Sequence, residues 1–128
     1  MIHAVVATSS VPLFLGALLS DWAYSSSHQT QWLNFAAWLN AGGLLIAGLA
    51  LLWGAVDLLR SSATRDRLAL SYLSLMLATF VVGFINALVH AKDGWAAMPT
   101  GLILSAVVLL LAAAASAVGL AARSRRTS

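Results

Sequence analysis

Four long apolar stretches alternate with three short polar breaks along this chain. The stretches cover residues 4–24, 33–59, 68–90 and 99–122, and the breaks residues 25–32, 60–67 and 91–98. Each stretch is close to the ~20 residues a helix needs to cross a ~30 Å hydrocarbon core. Without water in that core, the backbone groups of each span must be satisfied within the span, which predicts helices. Barrel strands would be shorter and would alternate apolar with polar residues. Short breaks force neighbouring spans to run antiparallel. The pattern predicts an all-α polytopic membrane protein: an antiparallel four-transmembrane-helix bundle, with one domain over residues 1–128.

Composition narrows the function classes. Only 9% of residues are charged and 61% are hydrophobic, with a mean hydropathy of +0.90. Soluble domains carry about 25% charged residues, so this chain has too little polar surface to face water on all sides. The four spans leave no length for a soluble catalytic domain. Cysteine is absent, which excludes disulfides, thiolate metal sites and covalently attached c-type haem. No phosphate-binding loop, catalytic triad or His-Glu-x-x-His pattern is present. The reading is therefore not an enzyme, with no metal and no cofactor.

The net charge is +3 and the isoelectric point is about 10.2. The basic residues cluster at two membrane boundaries, so membrane lipids rather than nucleic acid are the expected partner. Arg60, Arg65 and Arg67 surround the second break, and Arg123, Arg125 and Arg126 follow the fourth span. The opposite side carries only Lys92. This asymmetry places both termini and the second break in the cytoplasm. No Lys or Arg precedes the first span, and Pro12 and Asp21 interrupt it. It reads as a retained helix rather than a cleaved signal. Pro12 predicts a kink, with Thr8, Ser9 and Ser10 available to the freed backbone groups.

Aromatic residues fall near the expected interfaces. Trp22, Tyr24, Trp32 and Trp95 on the outer side, and Trp53 and Tyr72 on the inner side, read as headgroup anchors. Small residues mark helix contacts: Gly43 with Ala47, Ala50 with Gly54, Gly83 with Ala87, Ala112 with Ser116, and Ala115 with Gly119. They serve packing within the bundle or, alternatively, between copies.

Polar residues inside spans are the candidate functional groups. Asp21, Asn40, Asn86 and His90 all belong to the outer half of the bundle, and Asn86 and His90 share a helix face. Asp21 is expected to accept a hydrogen bond from His90, with the two asparagines bridging helices. Asp57 precedes Arg60 by three residues and predicts an interfacial ion pair. Haem would have to use His90, with His3 or His28 second. His3 and His90 lie at opposite ends of their spans, ~30 Å apart, too far to clamp one haem within one copy.

Several of these residues carry a family resemblance. His3 opens the first span and Asp21 closes it. The run Gly54-Ala-Val-Asp57-Leu-Leu-Arg60 ends the second, Asn86 lies late in the third, Pro99 opens the fourth and Gly119 nears its end. In these features the chain resembles a widespread bacterial family of small four-helix predicted membrane proteins of unknown function, domain-of-unknown-function type 2231. Ala4 stands where the family usually has proline, no histidine occurs in residues 68–72, and residues 123–128 replace a Tyr-x-His-Gly ending. Some relatives are fused to Rieske-type or other redox modules, so the resemblance implies an electron-transfer context.

The expected function is a non-catalytic accessory or structural subunit of a larger membrane complex, redox or photosynthetic, packing against other subunits or itself. Two other classes stand beside it. One is a b-type haem electron-transfer module. The other is a small-solute or proton conductor using Asp21, Asn40, Asn86 and His90.

Overall fold

The computed structural model describes residues 2–60, 67–91 and 99–127, the last three by backbone alone. The helices are α1 (Ile2–Thr8), α2 (Ser10–Ser27), α3 (Thr30–Arg60), α4 (Arg67–His90) and α5 (Thr100–Thr127). Helices α1 and α2 together make the first of four spans long and apolar enough to cross a membrane. No strand occurs among the described residues.

The interruption between α1 and α2 falls at Ser9, three residues before Pro12. Proline lacks the N–H that would bond the Thr8 carbonyl, and its ring crowds that carbonyl. Three consecutive hydroxyls cover the same turn. Thr8 Oγ1 donates to the Val5 carbonyl at 2.6 Å, Ser9 Oγ to Val6 at 2.6 Å and Ser10 Oγ to Ala7 at 2.7 Å.

The first break is shorter than the polar composition predicts. Helix α2 continues through Ser27 and α3 begins at Thr30. Ser27 Oγ donates back to the Ala23 carbonyl at 2.7 Å, so a serine-rich segment stays helical. His28 ends the helix at φ 60°, and its N–H reaches the Tyr24 carbonyl at 2.7 Å. This left-handed cap is usually glycine or asparagine. The 31 residues of α3 make a helix of ~46 Å, longer than the hydrocarbon core, so its ends extend into the headgroup regions. The breaks at 61–66 and 92–98, with Arg65, Lys92 and Trp95, lie outside the described residues.

Helix α2 packs on α3 and α5, α4 packs on the same two helices, and α1 extends the first span against α3 and α5. The four spans therefore form a ring, with the first and third spans on one diagonal. Ala4, Ala7, Phe14, Ala47, Ala50, Tyr72, Met76, Val108, Ala112 and Ala115 form the apolar core. Of the packing residues read from the sequence, Gly43, Ala47, Ala50, Gly54, Gly83, Ala112, Ser116 and Gly119 are buried and Ala87 is half-buried. The glycines act as notches for side chains of neighbouring helices. A Cβ at Gly43 would meet Phe14, one at Gly83 would meet Leu44, and one at Gly119 would meet Tyr72. Outward positions are mostly apolar, as a lipid-facing surface requires, with Ser9, Ser71 and Ser74 among the exceptions. Trp38 is the most exposed of the large hydrophobic side chains among the described residues, at 78%.

Two interface anchors need correction. Trp22, Trp32 and Trp53 face outward, but Tyr24 and Tyr72 are buried, at 6% and 0% exposure. Each phenol turns inward because the bundle supplies a partner. Tyr24 joins Leu33 and Val89 and sets its ring edge-on to His28. Tyr72 bonds His3.

Candidate functional site

At the end of the bundle expected to face outward, four sequence-predicted residues come together from three spans, and the fourth span adds Ser105. His90 Nε2 lies 2.7 Å from Asp21 Oδ1. Ser105 Oγ donates to the other carboxylate oxygen, Oδ2. Asn86 Nδ2 reaches Ser105 Oγ at 3.0 Å and Asn40 Oδ1 at 3.4 Å. Asn40 Nδ2 donates to the Gly83 carbonyl at 3.2 Å. No member of the cluster is more than 6% exposed. Gly101 makes room for the imidazole, since a Cβ there would sit 3.1 Å from His90 Cε1.

The hydrogen count follows from the geometry. His90 Nδ1 stands 2.8 Å from the Asn86 carbonyl, which only accepts, so Nδ1 carries hydrogen. A second proton must then lie between Nε2 and Asp21 Oδ1. Whichever atom holds it, the Asp21–His90 pair has no net charge. That neutrality explains how a carboxylate can be fully enclosed within a span, where an unpaired charge is costly. One acceptor in the cluster, Asn86 Oδ1, has no partner among the described residues.

A second polar layer closes the opposite end. His3 Nδ1 lies 3.1 Å from the Tyr72 hydroxyl, and the two rings stack at 5.4 Å. His3 Nε2 lies 3.5 Å from Asp57 Oδ2. In place of the ion pair expected between Asp57 and Arg60, the Asp57 carboxylate meets His3. Asp57 turns toward the start of the first span, while Arg60 stays exposed. Both layers cross the same diagonal in the same register: 72 − 3 = 69 and 90 − 21 = 69. On each helix the two polar positions are 18 residues apart, which is five turns of 3.6 and returns to one face.

Between the layers, over ~27 Å of helix, the centre is filled by Phe14, Met76, Val108 and small residues. Of the buried hydroxyls there, Ser10 and Thr79 turn back to their own helix carbonyls, while Ser116 Oγ has no partner among the described residues. The two layers are therefore separate polar clamps, each joining the parallel first and third spans. His28 is exposed at the α2 terminus, apart from both. Haem ligation by His90 would require its Nε2 to leave Asp21 or its Nδ1 to leave the Asn86 carbonyl. His3 has protein groups at both ring nitrogens as well.

Sequence reasoning missed Ser105, Gly101 and the pairing of Tyr72 with His3. Serine raises no alarm in a membrane helix, because its hydroxyl can satisfy itself on the preceding turn. The 18-residue spacing of His3–Asp21 and Tyr72–His90 was a usable signal. Replacing Tyr72 with phenylalanine removes only the hydroxyl. The expected loss is about 1 kcal/mol, read as a shift in detergent-mediated unfolding, with the helical signal unchanged before the transition.

No curated protein and no solved structure matches the chain. A family model described as predicted membrane protein does, over residues 1–126. That stretch takes in all four spans, both polar layers and the motifs in which the resemblance lay. The chain thus belongs to the predicted membrane protein family DUF2231.

Proposed function

We propose that this protein is a non-catalytic bundle subunit of a larger membrane assembly, placed in a bacterial inner membrane with both termini in the cytoplasm. One observation carries the reading. The aspartates and histidines within the spans, Asp21 with His90 and His3 with Asp57, are spent on one another in two polar layers, and the surface left for contact is largely apolar. A conductor would need a polar route between the layers, where the core is Phe14, Met76 and Val108. The redox or photosynthetic setting comes from the family resemblance, and the orientation from the six arginines on one side against Lys92 on the other.

Gentle purification in mild detergent tests this reading, with a visible spectrum and identification of co-purifying chains. The expected result is a colourless chain within a larger assembly. Deleting the gene should lower the amount of that assembly while the turnover of the intact remainder stays unchanged. A Soret band stoichiometric with this chain and lost in His90→Ala would replace the reading with haem-based electron transfer. Proton flux in liposomes that is abolished by Asp21→Asn would replace it with conduction.

A further inference from the structure

Outward positions on a membrane-spanning helix are ordinarily apolar, and α4 departs from this near its arginine end. Ser71 and Ser74 are exposed there, four and seven residues after Arg67, on the same side of the helix. With Leu70 and Leu75 these three residues line a groove of about 680 Å³. The hydroxyls of Thr8, Ser9, Ser10, Ser27 and Thr79 fold back onto their own helix carbonyls. Ser71 and Ser74 make no such bond among the described residues, so two donors point outward beside a cation.

Depth and charge say what fits. Arg67 to Ser74 spans ~10 Å along the helix, close to the ~5–8 Å headgroup and ester zone of one leaflet plus the first carbons below it. This end of the bundle holds six arginines against Asp57 and Asp66, 6 − 2 = +4. Asp57 is turned to His3. A second copy docked here would bring the same excess of positive charge. An anion with an apolar tail complements every group in the groove. A second groove, of about 470 Å³, is lined only by Val6, Leu49, Leu52, Trp53 and Val56 and suits the acyl chain of any lipid.

We propose that the Arg67–Ser71–Ser74 groove is a binding site for one anionic phospholipid. The phosphate meets the Arg67 guanidinium, the ester oxygens accept from Ser71 and Ser74, and an acyl chain lies along Leu70 and Leu75. The proposal does not depend on the accessory-subunit reading.

The test uses the full chain, delipidated in mild detergent and titrated with dioleoyl phosphatidylglycerol or dioleoyl phosphatidylcholine. Bound lipids are counted by native mass spectrometry. The expected result is one retained phosphatidylglycerol, bound more tightly than phosphatidylcholine. Arg67→Gln should weaken it about fivefold, the usual effect of one basic side chain near an anionic lipid surface. Ser71→Leu with Ser74→Leu should cause a similar loss. Arg123→Gln, at the same end of the bundle but outside the groove, should leave binding unchanged. Arg67 and both serines are exposed, and an unaltered unfolding transition confirms that the variants fold. Equal binding of the two lipids overturns the proposal, as does an equal loss in Arg123→Gln, which would mean diffuse attraction. Unchanged binding in the double serine variant overturns the groove as the site. Competition by inorganic phosphate alone would make it a free-anion site, and a dimer that binds no lipid would make it a helix interface.

Discussion

Replacing Asp21 with leucine is expected to destabilise the bundle by about 3 kcal/mol, the lower end of the range for removing one partner of a buried ion pair. The carboxylate accepts from both His90 and Ser105 at zero exposure. Leucine would fill the volume and leave both groups unpaired in an enclosed site. Interhelical hydrogen bonds in membranes average only about 0.6 kcal/mol. That figure describes a bond that can find a substitute partner, and the ring of spans offers His90 none. Asp21→Asn should behave differently. The asparagine amide can donate to His90 Nε2 while its carbonyl accepts from Ser105, keeping both contacts without net charge. Its expected cost is below about 1 kcal/mol. Equilibrium unfolding by titration with a denaturing detergent measures all three proteins. The double variant Asp21→Leu/His90→Leu should be more stable than the sum of the singles predicts, because the second change removes the group the first one stranded. Equal losses for the leucine and asparagine variants would show that the cluster needs the carboxylate charge itself, rather than a saturated set of hydrogen bonds.

The second large effect is expected at Gly43. A Cβ there would lie 2.6 Å from Phe14 Cε1 and within 2.9 Å of two further ring carbons. Phe14 is 1% exposed and is packed in the core with Ala47. The ring has nowhere to retreat, so α2 and α3 must separate. Gly43→Val should cost about 3 kcal/mol, the upper end for overpacking a tight core, and Gly43→Ala should cost part of that. The neighbouring glycine supplies a control. A Cβ at Gly42 would meet only Leu13, at an ordinary 3.5 Å. Gly42→Ala should therefore be neutral or stabilising by about 0.5 kcal/mol through helix propensity. Phe14→Leu should recover much of the loss in Gly43→Val. No recovery would mean that the clash lies elsewhere along the α2–α3 contact.

The Asp21 cluster and the Gly43 notch are different links in one arrangement. Glycine and alanine notches bring the backbones close enough for short polar side chains to meet across the ring. The polar layers then fix which helices lie diagonally and in what register. Loosening the notch at Gly43 should also lengthen the Asn40 contacts, since Asn40 is the preceding turn of the same helix. The effects of Gly43→Val and Asn40→Ala should accordingly fall short of additive.

Much of this was legible along the chain. Length and hydropathy determined the four spans, because the hydrocarbon thickness and the demand for internal backbone hydrogen bonds leave few alternatives. The cost of polar groups in hydrocarbon singled out Asp21, Asn40, Asn86 and His90. Short breaks determined the antiparallel order, and Pro12 the place of the helix interruption to within a turn. Other features depended on rotation and register, which hydropathy does not encode. Tyr72 looked like an interface anchor because its depth suits the headgroup level; only the ring of helices decided that it faces His3. Asp57 had Arg60 within reach on its own helix, yet the approach of α1 gave it His3. Ser105 became the bridge between Asp21 and Asn86 because α5 presents that face at that height. The sequence alone determined which segments form the four spans and in what order they run. The tertiary structure decided how each is turned about its own axis, because side-chain meetings across the bundle depend on the packing of all four helices at once.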